Sequence, residues 1–302
     1  MKLSMSVSPH IKTSSDTASI MLDVIIALAP ATVFGVLIFG FSALTVIAVC
    51  VAASVLTEAL FCCLAKKPLT TGDFSAVVTG LLLALNLPAG IPLYIALLGS
   101  VFAIAVVKLL FGGLGKNLVN PAIAGRIFLL SAFTSAMTTF KEPFSDTIAS
   151  ATPLSGGDYA FNQIFFGVCS GSIGETSVLL LLLGGVYLLY KKIITWHIPV
   201  CFIAVCFAVA FVFGQNPFTA VSSGGIMLGA IFMATDYVTS PTTKTGKMIF
   251  GAGCGIITMF IRLGASLPEG VSYSILIMNL LTPLIDRFIV TKPLGAYTAK
   301  GE

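Results

Sequence analysis

Long apolar stretches separated by short polar breaks run through the whole chain, and their lengths predict helices that cross a lipid bilayer. A first group runs from Ile20 to Gly40, Ser42 to Ala65, Ser75 to Leu87, Ile91 to Phe111 and Pro121 to Met137. A second runs from Ser177 to Tyr190, Ile193 to Gly214, Gly224 to Tyr237, Lys247 to Ala265 and Val271 to Val290. A full crossing takes roughly 20 apolar residues, so several of these stretches are too short to span unaided. The first apolar stretch begins near Ile20 and is too long for the core of a cleavable signal peptide, so it is expected to remain as helix one.

Composition supports this pattern. Hydrophobic residues make up 57% of the 302 and charged residues 9%, with a mean hydropathy of +1.05, outside the range of soluble globular domains. The fold expected is an all-α polytopic membrane protein of about ten transmembrane helices, forming one integral membrane domain over 1–302.

The two groups of helices resemble each other weakly. Lys116-Asn117-Leu118-Val119-Asn120-Pro121 parallels Met278-Asn279-Leu280-Leu281-Thr282-Pro283, and each lies beyond a basic residue at a helix end, Lys108 and Arg262. Thr79-Gly80-Leu81-Leu82 likewise parallels Leu228-Gly229-Ala230-Ile231. A repeat unit of five helices must re-enter the membrane from the other side, which gives a five-plus-five inverted repeat. The halves are 1–137 and 177–302, with 138–176 as a loop between them. The third and eighth spans, interrupted at Asn86-Leu87-Pro88 and Thr239-Ser240-Pro241, are short Pro-broken segments of the kind that line sites in such folds; chance similarity of apolar strings is the competing explanation.

Asn120-Pro121 and Thr282-Pro283 each read as an N-cap followed by a first-turn proline. A helix beginning there inside the protein would turn its positive end towards an anion or an electron-rich ring, with Arg126 adding charge nearby. The alternative is that these prolines only kink helices.

Charge placement fixes an expected orientation. With ten alternating helices, Lys2, Lys12, Lys66, Lys67, Lys116, Lys191, Lys192, Lys244, Lys247, Arg287, Lys292 and Lys300 fall on one side, with Lys141 on the other. The positive-inside rule makes that side cytoplasmic, which places both termini inside and 138–176 outside. Seven cysteines without a CxxC or Cys/His grouping read as buried thiols; the adjacent Cys62 and Cys63 could alternatively contact a metal at a subunit interface. The chain has no P-loop, GxGxxG fingerprint or metal-ligand cluster, and no nucleic-acid partner is expected.

The outer segment contains Asp146-Thr147-Ile148-Ala149-Ser150-Ala151-Thr152-Pro153. By itself this is an exposed turn, and its Thr a solvated hydroxyl. It resembles the flavinylation motif Asp-x-x-Ser/Thr-Gly-Ala-Thr, with Asp146, Ser150, Ala151 and Thr152 at the motif positions and departures at Ala149 and Ser150. Ser8-Pro9-His10, Asn120-Pro121-Ala122 with Gly125-Arg126, Gly171-Ser172-Ile173-Gly174-Glu175-Thr176-Ser177 and Ala234-Thr235-Asp236-Tyr237-Val238-Thr239-Ser240-Pro241 extend the likeness over essentially the whole chain. Together they resemble the D-subunit of the Rnf complex and its homologue, the B-subunit of the Na⁺-translocating NADH:quinone reductase. The short N-terminal leader favours the Rnf member.

The resemblance implies an inner-membrane flavoprotein subunit, not catalytic alone, in a complex with Rnf subunits A, B, C, E and G. That complex passes electrons between reduced ferredoxin and NAD⁺ and couples them to Na⁺ or H⁺ translocation. It implies FMN joined to Thr152 by a phosphoester that a flavin transferase makes, a second non-covalent flavin (riboflavin or FMN), and Asn120 and Arg126 as cofactor contacts. From the residues alone, a channel or secondary transporter would also suit an inverted repeat.

Carboxylates inside apolar stretches are the second class of candidate, because a charge in a bilayer is expensive and is either functional or paired. Glu58, Asp23 and Asp236 are candidates for an ion pathway. Glu58 could offer oxygen to Na⁺ together with Ser54 and Thr57, carry a proton, or pair with Lys108 or Arg126. Asp286, beside Arg287, reads as an interfacial residue.

Overall fold

The computed structural model describes residues 16–145, 147–148, 152, 159–175, 177–264 and 270–290. Among the described residues the regular structure is mainly helical, with thirteen α-helical segments. The chain opens with two long apolar helices, α1 (Thr17–Phe39) and α2 (Phe41–Leu64), joined through Gly40 at φ +68°. A 3₁₀ turn, Thr71–Asp73, leads into α3 (Ser75–Leu85), which is only 11 residues long and about 16 Å by rise per residue. Ten of those residues are buried, so α3 is an interior half-helix. α4 (Leu93–Val101) runs on as a π-helical stretch, Phe102–Leu109. α5 (Pro121–Ala132) stops at Phe133, where φ −134° and ψ 50° leave helical space, and the short α6 (Thr134–Thr138) follows. The apolar run Pro121 to Met137 is therefore two helices, not one.

After α7 (Phe161–Phe166) come α8 (Val178–Tyr190), α9 (His197–Val212) and α10 (Pro217–Ser222). α11 (Ile226–Leu228) continues as a π-helical turn to Met233, forming a second short buried segment. Residues 234–243 are then non-helical, so the eighth apolar stretch ends as a helix well before Tyr237. α12 (Lys244–Gly264) and α13 (Val271–Phe288) complete the described chain. Thr282-Pro283 lies inside α13 and starts no helix: Thr282 Oγ1 donates to the carbonyl of Met278 one turn back and to that of Thr239. Asn120-Pro121 does start one.

α1, α2 and α12 are long and apolar enough to cross a membrane. Their outward residues are large and apolar, Leu37, Phe41, Leu56, Leu60 and Phe260 among them. A helix that is apolar all round, with such a surface, belongs in lipid. One continuous core runs from Ala27 in α1 to Met278 in α13. α1 packs on α8, α5 on α13, α2 on α3 and α9 on α12. The last pair is close because Gly251 faces the Ile198 backbone, where a Cβ would stand 2.7 Å from the carbonyl oxygen. The loops gather at two ends: a basic end carrying Lys66, Lys116, Lys191 and Lys247, and an opposite end where Phe144 N–H donates to Ile38 O.

Candidate functional site

A cavity of about 370 Å³ opens near the basic end, between α1, α3, the start of α5 and the segment after α11. Its walls are largely apolar, and its polar lining includes Ser75, Thr79, Lys108, Asn117, Asn120 and Asp236. This size and make-up match small-molecule sites, which are commonly roughly 300–1,000 Å³ with a few convergent polar groups.

The start of α5 forms one wall. Asn120 Oδ1 accepts from the N–H groups of Ala122 and Ile123 (3.0 and 3.4 Å), and Asn120 Nδ2 donates to Met233 O at 3.1 Å. The Asn120 N–H meets the side-chain oxygen of Asn279 at 3.1 Å once that amide is oriented to satisfy its neighbours. Asn120 thus caps α5 and ties it to the end of the α11 segment. Asn117 Oδ1, by contrast, is buried without a hydrogen-bond partner. Asp236 is half-buried, and Thr239 Oγ1 donates to its Oδ2 at 3.0 Å. The acceptors facing this cavity, Asn117 and Asp236, suit an occupant that offers N–H or O–H donors.

Behind the cavity wall lies a buried ion pair. Lys108 Nζ stands 2.8 Å from Glu58 Oε1, with side chains 2% and 0% exposed. Lys108 also donates to Ser75 Oγ at 2.6 Å, Thr70 Oγ1 donates to Glu58 Oε1 at 2.7 Å, and Ser75 Oγ donates to Asp73 Oδ1 at 2.5 Å. Glu58 Oε2 and Ser54 Oγ, one turn apart on α2, are buried without hydrogen-bond partners. Of the two basic residues expected as salt-bridge partners for Glu58, Lys108 is the one that pairs with it, and Arg126 pairs with Glu175 instead.

Arg126 lies farther along α5 and does not line the cavity. It donates to Asn86 Oδ1 at 2.5 Å and pairs with Glu175 Oε1 at 3.3 Å, and all three side chains are buried. Glu175 reaches it because Gly171–Glu175 folds down onto the end of α3: Ile173 N–H donates to Leu87 O and Gly174 N–H to Leu85 O at 2.7 Å. Gly174 is required for that approach, since a Cβ there would stand 2.6 Å from Leu85 Cβ. Burial, and then the nearby Glu175 charge, push the Cys169 thiol in this loop up to about 12.

Thr152 is half-buried, and its motif partners Asp146, Ser150 and Ala151 lie outside the described residues. Before it, Lys141 and Ile148 form a bridge, Glu142 accepts from Thr147, and Phe144 is anchored on α1. Asp23 faces α8, where Tyr187 Oη donates to it at 2.6 Å and Lys191 stands 3.6 Å away. Asp286 Oδ1 accepts from Thr242 N–H.

Sequence reasoning passed over Asn86, Asn117, Asp73, Ser75 and Glu175 as site residues. For Asn86, Asn117 and Glu175 a signal existed: polar side chains inside or beside apolar runs.

Helices long and apolar enough to cross a bilayer, with large apolar residues outward, mark a membrane protein, and buried ion pairs lie beside a largely apolar cavity inside it. The chain belongs to the NQR2, RnfD, RnfE family, whose model matches residues 4–295. It is 50% identical over its full length to the D-subunit of the Na⁺-translocating ferredoxin:NAD⁺ oxidoreductase complex of Acetobacterium woodii, covering 98% of that protein. It is 44% identical to the D-subunit of the proton-translocating ferredoxin:NAD⁺ oxidoreductase complex of Clostridium ljungdahlii, over 93% of this chain and 92% of the relative. It is 38% identical to the D-subunit of the ion-translocating oxidoreductase complex of Stutzerimonas stutzeri, over 90% of each.

Proposed function

We propose that this chain is the flavin-carrying membrane subunit of an Rnf-type complex in the cell's inner membrane. The complex would pass electrons between reduced ferredoxin and NAD⁺ and couple them to Na⁺ or H⁺ translocation, with subunits A, B, C, E and G as partners. The observation that carries this reading is the full-length similarity to D-subunits of complexes with that named activity. The subunit holds and positions cofactors, and catalysis belongs to the assembly.

Two positions suit flavins, which supply one- and two-electron transfer when bound. Thr152 would take FMN as a phosphoester from a flavin transferase; its partly exposed position in a loop pinned to α1 supports this. The basic-end cavity fits a second, non-covalent flavin. The Asn117 and Asp236 acceptors can receive ring N–H and ribityl hydroxyl donors, apolar walls of α1 and α3 can flank a planar ring, and Lys108 can face a carbonyl edge. Asn120 would hold the α5 wall in place, and Arg126 would tie that helix to the outer loop.

An inverted repeat of 1–137 and 177–302 around the loop 138–176 has structural support. The paired packing of α1 with α8 and of α5 with α13 fits it. So does a parallel between two cations: Lys108 grips Ser75 at the start of α3, and Arg262 grips Ala220 O and Ser223 O just before α11. Positive-inside placement makes the basic end cytoplasmic, with both termini inside and Thr152 outside. Glu58, Asp23 and Asp236 remain the candidates for the ion pathway.

The test is in-gel fluorescence of the denatured chain made together with a flavin transferase. Fluorescence that disappears in Thr152→Ala is expected. A chain that never fluoresces would refute the flavin assignment and return the channel reading.

A further inference from the structure

We propose that Lys108 couples the basic-end cavity to Glu58, so that a negative charge gained by the cavity's occupant is balanced by one proton taken up at Glu58. The proposal rests on the reading that this cavity holds a flavin.

Lys108 touches both places. It lines the cavity although its residue is 1% exposed, and its ammonium donates to Glu58 Oε1 and Ser75 Oγ. An ammonium has three donors. Two are committed among the described residues, which leaves one donor uncommitted. Lys108 owes this position to the π-helical stretch Phe102–Leu109, a local widening of the helix that is frequent where a side chain is re-aimed for function.

Glu58 is built to change charge. Its Oε1 is held by Lys108 and Thr70, while Oε2 is buried with no partner. A buried carboxylate depends on its cation, and drawing Lys108 towards another negative charge leaves Glu58 under-compensated. Protonation of Oε2 relieves this and provides a donor for the equally unpartnered Ser54 Oγ one turn away. Na⁺ is the poorer answer, because a second cation would sit against the Lys108 ammonium.

Asp73, half-buried in the turn before α3, accepts from Ser75 Oγ at 2.5 Å, and Ser75 Oγ accepts from Lys108, which donates to Glu58 Oε1; Oε2, the atom that takes the proton, lies outside this chain of bonds. Other titratable groups near the pair include Asp236 and Tyr237 on the cavity lining and Cys62, which contacts Thr70.

The step balances. The occupant accepts one electron from a reduced flavin or iron–sulfur cluster of a neighbouring subunit. One proton from water at the basic end forms an O–H bond at Glu58 Oε2, and the site keeps its net charge. When the electron leaves, the proton leaves.

The experiment uses the full chain in lipid nanodiscs with Thr152→Ala, so that the flavin of the cavity is the one reduced. Redox-difference infrared spectra and visible absorption are recorded on the same sample. Reduction should produce a carboxylic-acid carbonyl band that is absent in Glu58→Gln, absent in Lys108→Met, restored in Lys108→Arg and present in the exposed control Asp16→Asn. A flavin that reduces without the band, or a band that survives Glu58→Gln, overturns the coupling and leaves the flavin reading standing. A sample with no reducible flavin in the visible spectrum overturns the cavity reading itself. If Lys108→Met does not accumulate, Glu58→Gln, which keeps the size and the Thr70 contact, decides the question.

Discussion

Replacing Lys108 by Met should destabilise the protein more than replacing Lys108 and Glu58 together. The ammonium and carboxylate are 2.8 Å apart with almost no exposure. At an effective dielectric of about 20 their attraction is about 6 kcal/mol, offset by a desolvation penalty of several kcal/mol for each ion. The pair itself is therefore close to neutral, and the danger lies in breaking it. Lys108→Met leaves Glu58 buried with Thr70 as its remaining donor, and a loss of about 3–5 kcal/mol is expected. The double variant Glu58→Met/Lys108→Met removes both charges in favour of apolar side chains of similar reach and should lie within about 2 kcal/mol of the parent. The assay is denaturant or SDS titration of the detergent-purified chain, followed through Trp196, the chain's one tryptophan. A double variant no more stable than Lys108→Met would refute the argument, because the orphaned charge would then not be the cause of the loss.

Four further outcomes follow from the geometry. Asn120→Ala removes the α5 cap and the tie to Met233 O and should cost about 1–3 kcal/mol in the same titration. Gly174→Val would drive side-chain atoms into Leu85, so detergent-extracted chain should show faster protease cleavage in the loop that carries Gly174 than the parent. Cys169 should stay unlabelled by maleimide at neutral pH while the exposed Cys63 reacts; a thiol held up at about 12 forms its thiolate only as the pH nears that value, so labelling should rise only in strong alkali. On the proposed function, Glu58→Gln in the assembled complex should lower ion transport measured in proteoliposomes and leave the in-gel flavin fluorescence unchanged, and unchanged transport would remove Glu58 from the pathway.

The apolar pattern was enough to locate helices, because burial in lipid imposes long apolar runs whatever the neighbours are. Boundaries at Phe133 and Met233 were not legible, since they depend on tertiary contacts: Asn120 reaching Met233, and α5 ending where Phe133 leaves helical space. Thr282-Pro283 shows the same limit, as its side chain bonds the Thr239 carbonyl and the proline is absorbed inside α13. In the candidate site, Glu58 and Lys108 were each conspicuous as charges among apolar residues. Their pairing was one of several options until the fold brought α2 against the π-helical stretch that carries Lys108. Asn117 and Glu175 drew no role, because an unpartnered acceptor and a loop carboxylate acquire meaning only from the cavity and from Arg126.

The ties between the halves also bear on how the chain is made. Asn86 reaches Met233 across 147 residues, and Asp23 reaches Tyr187 across 164. At synthesis rates of roughly 5–20 residues per second, the polar groups of the first helices wait about 7–30 s for their partners. During that interval Asn86 can rest on Leu82 O and then Arg126, whereas Asp23, whose partners Tyr187 and Lys191 both lie in the second half, has water, lipid headgroups or an insertion chaperone to satisfy it.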